Sequence, residues 1–160
     1  MKQKFKRRLI REKVLQVLFA YEMNNESLQF LIDEIFKGIE SEIDLKFGNE
    51  LIHKIRIHQD ELDEMIKGRV ANWEMSRIAL IDKILLRMGI CEMLYFPDIP
   101  PKVSINESIE IAKEYSTAGS GKFINGILDV ILTNERKSGK LKKEGRGLVE
   151  ESITKNPDDK

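Results

Sequence analysis

The sequence is poor in the residues that carry covalent and cofactor chemistry. It has one cysteine, Cys91, in 160 residues, so no disulfide forms within the chain and no metal site rests on thiolates. Its two histidines, His53 and His58, stand five apart, off any shared helical face, and make a poor metal pair. No apolar run reaches the roughly 20 residues that a bilayer crossing needs, and none of signal-peptide length follows the basic start. The expected location is therefore the cytoplasm. No nucleophile elbow appears, and no histidine stands near a candidate nucleophile. The run Gly119-Ser120-Gly121-Lys122 suggests a phosphate loop but lacks its parts: Ser116 stands where the first Gly belongs, Phe123 where Ser or Thr belongs, and no strand precedes it. The expectation is a protein that is not an enzyme and holds no cofactor and no metal.

Proline is scarce as well. Three of its four residues fall at Pro97, Pro100 and Pro101, where they end one helix and separate it from the next. No stretch sustains two-residue alternation with turn chemistry. Apolar residues recur instead at helical spacing, as in Ile10, Val14, Val17, Leu18 and Tyr21. The spacing predicts a first helix over residues 7–23 and a second that Ser27 caps and Gly38 stops. Residues 41–48 read as a connector, and a third helix spans 49–67. Trp73 precedes a central helix over 75–95. Ser104 with Glu107 reads as a capping box opening the next helix. The loop 116–121 stops that helix, and a last one starts near Lys122. The fold class is all-α, with about six or seven helices. The folded domain is expected over 1–136, with 137–160 a disordered tail.

Formal net charge is zero with 34% charged residues, but the charge is unevenly placed, and placement is what decides nucleic-acid binding. The first 13 residues hold Lys2, Lys4, Lys6, Arg7, Arg8, Arg11 and Lys13 against Glu12 alone. Cations at a helix start oppose the helix dipole. They read either as a surface for a polyanion or as a solvated, frayed terminus, about evenly on residues alone. Lys113, Lys122, Phe123 and Asn125 gather at the last helix–loop–helix junction. Cation, ring and amide together suit single-stranded RNA, whose bases stack on rings and accept amide hydrogen bonds. The competing reading makes Phe123 core and the lysines solvated, the commoner fate for such residues.

Three blocks in order carry a resemblance: KRRLIREKVLQVLFAYE, NWEMSRIALIDKILLRMGICEM, and PPKVSINESIEIAKEYST followed by GSGKFINGILD. Over about residues 6–132 the chain resembles the bacterial transcription antitermination factor NusB family. Within the last block Lys102, Ile105, Asn106, Glu107, Lys113, Ser120, Lys122, Phe123, Asn125, Gly126 and Asp129 fall where that pattern has them.

The resemblance implies two small helical bundles packed together. It implies binding of the boxA element of rRNA leader transcripts, jointly with the small-subunit ribosomal protein that acts as NusE. The other Nus factors and RNA polymerase are then indirect partners, and processive rRNA transcription is the outcome. It places the RNA surface at Lys6, Arg7, Arg8 and Arg11 and at Lys113, Lys122, Phe123 and Asn125. It places the ribosomal-protein surface at Phe19 and Asp82, with Arg87 and Glu92 either joining them or forming a buried structural pair. Phe19 stands where a tyrosine is familiar, and Gly119 where some relatives are acidic. Family members also form homodimers that bury the RNA surface. Two other readings compete. One is a helical protein–protein adaptor without RNA. The other is the NusB-like domain fused to some rRNA cytosine methyltransferases, disfavoured because these 160 residues hold no cofactor-binding α/β domain. A membrane-surface role for the first helix is disfavoured by an apolar stripe committed to the core.

Overall fold

The computed structural model describes residues 2–70 and 75–149; Trp73 lies outside them. The described residues form seven α-helices and no strand: α1 (Lys2–Met23), α2 (Leu28–Ile35), α3 (Glu42–Ile57), α4 (Gln59–Lys67), α5 (Leu80–Tyr95), α6 (Pro101–Tyr115) and α7 (Ser120–Ser138). Two short 3₁₀ turns, Met75–Arg77 and Gly145–Leu148, complete them.

Helix α5 is the centre. It packs against α1, α3 and α4 on one side and against α6 and α7 on the other. Every residue from Ile84 to Met93 is buried, as a helix with neighbours all round requires. Each Ile or Leu so buried contributes roughly 1.5–3 kcal/mol. Gly89 permits the close approach: a Cβ there would lie 2.9 Å from Leu128 of α7 and 3.1 Å from the Ser108 hydroxyl of α6. Helix α1 buries Ile10, Val14, Leu15, Val17 and Leu18 against α2, α3 and α5.

Local signals hold in part. The Ser27 hydroxyl accepts the Phe30 amide at 3.1 Å, and Gly38 takes a left-handed φ of 90° just past α2. Four expectations are corrected. Residues 41–48 are no connector, since the Ser41 hydroxyl accepts the Asp44 amide at 3.3 Å and starts α3 there. The single helix expected over 49–67 is broken at His58. Its ring stacks on Tyr95 at 3.9 Å, and the Tyr95 hydroxyl donates to Glu61, so α4 sets off along α5 in a new direction. Ser104 and Glu107 form no capping box. Pro101 opens α6, where its missing amide costs nothing. Ser104 and Glu107 turn inward to partners on other helices.

The fourth correction concerns the expected tail. Helix α7 continues through Ser138 and closes on Gly139 at φ 72°. Residues 140–149 then fold back over the end of α5. The Glu144 amide donates to the Pro97 carbonyl at 3.0 Å, and the Lys143 ammonium to the carbonyls of Phe96 at 2.8 Å and Glu92 at 3.1 Å. These carbonyls belong to a helix C-terminus, where a cation is favoured. Gly147 lies against the Pro97 carbonyl so closely that a Cβ would overlap it. The rest of the expected tail, 150–160, lies outside the described residues.

Candidate nucleic-acid interface

Helix α1, which carries the first basic region, lies along α6, which leads to the second. The Arg8 guanidinium donates to Glu107 at 2.7 and 3.3 Å, and Gln16 donates to the Tyr115 hydroxyl at 3.3 Å. Helix α1 therefore runs beside α6 in the same direction. From Glu107 to Tyr115 is about 12 Å of helix at 1.5 Å per residue. That distance separates Arg8 from the α6–α7 loop. Between them stands Glu12, its carboxyl pushed above the ordinary carboxylate range by burial and by the facing Glu114.

The sequence-named cations divide into two kinds. Lys6, Lys113 and Lys122 are exposed, with Lys113 paired to Glu110 at 2.9 Å. Arg7 lies over the Phe47 ring at 4.0 Å and half-buried. Arg8 keeps part of its surface. Arg11 does not: it is 3% exposed and forks onto Glu92 with two bonds of 2.8 Å. Burial works against its charge, but the Glu92 carboxylate outweighs that and holds the guanidinium above its ordinary range. Arg11 is thus corrected from an RNA-facing residue to a buried structural cation. The physical reason is its phase on α1, which points inward with Ile10, Val14 and Leu15.

Three of the four residues named for a protein partner are buried, which for Arg87 and Glu92 is the structural alternative. Glu92 is 2% exposed and also accepts the Ser104 hydroxyl at 2.9 Å. Arg87 is 6% exposed and forks onto Asp63 at 2.7 and 3.0 Å, with Glu22 at 3.9 Å. Both are buried, yet not with each other. Asp82 is 7% exposed; its two oxygens accept the hydroxyls of Ser116 at 2.7 Å and Ser120 at 2.9 Å. Of the four, Phe19 alone keeps a partly open side chain, packed at the edge of the core.

At the α6–α7 junction Ser116 caps the end of α6 and Ser120 begins α7. Their hydroxyls lie 2.8 Å apart, with Thr117 at 3.0 Å from Ser120. Phe123, half-buried, and Asn125, exposed, follow within the first two turns of α7. Lys102 reaches Asp129 at 3.5 Å and ties the two helices farther along. The cation, ring and amide side chains thus flank a loop whose two ends Asp82 holds. The hydroxyl knot of Ser116, Thr117 and Ser120 went unread in the sequence; its signal was a run of hydroxyls flanked by Lys113 and Lys122. Among the described residues no group of His, Cys, Asp and Glu could hold a metal ion, and no helix is long and apolar enough to cross a membrane.

Comparison with known proteins bears on this geometry. A transcription antitermination protein NusB from Chloroherpeton thalassium is 47% identical over 150 residues, covering 90% of this chain and 69% of that protein. The solved NusB of T. maritima superposes with a TM-score of 0.77 at 34% identity, over 84% of this chain and 95% of the other. A chain from a solved complex of antitermination factors NusB and NusE with dsRNA gives 0.72 at 21% identity, over 84% and 99%, a likeness of fold. The model of the NusB family matches residues 8–133, and the chain belongs to the NusB family.

Proposed function

We propose that this chain is a transcription antitermination factor. It binds boxA-type single-stranded RNA of rRNA leaders jointly with the ribosomal protein that acts as NusE. With the other Nus factors it travels on RNA polymerase in the cytoplasm and keeps rRNA transcription processive. Its role is binding, and no chemical step is assigned to it. The observation that carries this reading is the α6–α7 junction, where Lys113 at the end of α6 and Lys122, Phe123 and Asn125 at the start of α7 flank a loop that Asp82 holds. The family match over residues 8–133 and the 47% identity to a transcription antitermination protein NusB support it.

The residues divide the work. Lys6, Arg7, Arg8, Lys113 and Lys122 draw the phosphates and give a salt-dependent term blind to sequence. Phe123 stacks a base and Asn125 reads an edge, which adds selectivity. Phe19 is the residue retained for the ribosomal-protein surface.

The test is fluorescence anisotropy of a labelled boxA RNA, with and without the ribosomal protein, at two salt concentrations and beside a scrambled RNA. Tight, sequence-selective binding with the partner present supports the proposal. Salt-insensitive binding of the ribosomal protein with no RNA retained would replace it with the adaptor reading.

A further inference from the structure

Asp82 lies beneath the loop between the proposed RNA-binding residues, and the role assigned to it rests on that RNA-binding reading. Asp82 sits in the first turn of α5, far in sequence from the loop it touches. Both its oxygens are occupied, one by Ser116 and one by Ser120. Those two serines are the last cap of α6 and the first residue of α7. Ser120 is itself buried, so its hydroxyl has no solvent to turn to. The Ser120 amide donates to the Thr117 carbonyl at 3.1 Å, and the Phe123 amide to the Gly119 carbonyl at 3.2 Å. Each bond fixes one point of the turn, and the carboxylate fixes the two ends at once.

Gly121 adds a constraint from the other side. A Cβ there would lie 3.3 Å from the Ile109 side chain, so α7 starts hard against α6. Lys122 and Phe123 follow directly and have little freedom to choose another direction. An exposed acidic residue on this face would repel RNA. Asp82 is instead tucked beneath the loop, buried, with both oxygens taken by the serine hydroxyls.

We propose that Asp82 is a positioning residue for RNA binding: through Ser116 and Ser120 it sets the α6–α7 loop in the one geometry that presents Lys122 and Phe123 together. Charge-assisted bonds to a buried carboxylate are among the stronger polar contacts, so one side chain suffices to hold a loop of small residues with no core of its own.

The experiment compares the parent with Asp82→Ala, Ser116→Ala/Ser120→Ala and the combined triple variant. RNA affinity is read by anisotropy and loop order by amide hydrogen exchange. Each set alone is expected to weaken RNA binding about tenfold, the worth of a lost charge-assisted contact. The triple variant is expected to lose no more than either, because the groups act as one unit. Exchange is expected to quicken at residues 116–123 and stay unchanged in α1 and α3. Asp82→Glu should restore part of the affinity.

Multiplicative losses would overturn the proposal, as would loss of ribosomal-protein binding with RNA binding intact. If Asp82→Ala fails to fold, Ser120→Ala leaves the carboxylate bonded to Ser116, and its exchange pattern and RNA affinity decide the matter. A parent that binds no RNA overturns the proposed function. Unchanged loop exchange in a folded Asp82→Ala overturns the positioning role by itself.

Discussion

Removing Glu92 should damage the fold far more than any RNA contact. Glu92→Ala leaves the Arg11 guanidinium 3% exposed and without the two 2.8 Å bonds that hold it. It also strands the Ser104 hydroxyl, which donates to the same carboxylate. Breaking a buried pair from one side costs about 3–5 kcal/mol, because an uncompensated charge remains in the interior. For a chain of this size that is a fall in melting temperature on the order of 10 °C. Replacing both partners together, as in Arg11→Met/Glu92→Leu, removes charge and desolvation penalty at once and should come within about 1–2 kcal/mol of the parent. Urea unfolding followed by circular dichroism measures all three proteins. Repeating it at 0.1 and about 0.5 M salt should leave the differences in place, because a buried pair is screened little. A Glu92→Ala loss below about 1 kcal/mol, of surface-pair size, would refute the burial argument. A double variant as unstable as the single one would refute the account of where the cost arises.

Four further outcomes are expected of the same structure. Phe123→Ala should weaken RNA binding by about 1–3 kcal/mol, the worth of one base stack, with little change in the melt; equal affinity in a folded protein would end that role. Glu12→Gln removes a carboxylate that faces Glu114 between the two basic regions and should tighten RNA binding about two- to fivefold at low salt, fading as salt rises; unchanged affinity would place the RNA path elsewhere. Burial holds the Lys143 ammonium at about 8, below its ordinary 10.5. The unfolded chain then binds more protons between those values, so stability should rise with pH from about 8 to 10.5 and rise less in Lys143→Met; equal slopes in pH-dependent unfolding would contradict this. Cys91 is fully buried and its thiol is pushed well up, chiefly by burial, so it should resist a thiol reagent until the protein unfolds; prompt labelling of the native protein would show otherwise.

Much of the fold is legible in the sequence because the helices bury continuous stripes. Ile10, Val14, Val17 and Leu18 announce the inner face of α1, and the near-solid apolar run around Met88 announces a central α5. The break at His58 is not legible, since neither Gly nor Pro marks it. It depends on Tyr95, a residue more than 30 positions away in another helix. The same limit governs the polar residues. Arg11 reads as one cation among seven, and only its phase relative to the core separates it from Lys6. Phase along a single helix is visible in the sequence, but the carboxylate awaiting Arg11 on α5 is not. Ser104 and Glu107 satisfied a local capping pattern and still went to Glu92 and Arg8, because the buried carboxylates of Glu92 and Glu107 demand partners more strongly than an exposed helix end. Residues 140–149 lack any periodic apolar signal. Their attachment rests on the backbone carbonyls of Glu92, Phe96 and Pro97 at and just past the end of α5, and on a glycine that fits where no side chain would.

Position in a pattern carries a residue's address, not its exposure. Lys122 and Asn125 stand where a solvent-facing helix start must put them. Asp82, Arg87 and Glu92 lie on the helix with neighbours all round, where a charge is paired inward.

The most direct test of the RNA surface is ultraviolet cross-linking of boxA RNA to the intact protein, with the linked peptides mapped. The account predicts links at Phe123 and its neighbours in the first turn of α7, lost in Phe123→Ala and in scrambled RNA. Links confined to the α3–α4 corner, around Ile57 and Tyr95, would contradict it.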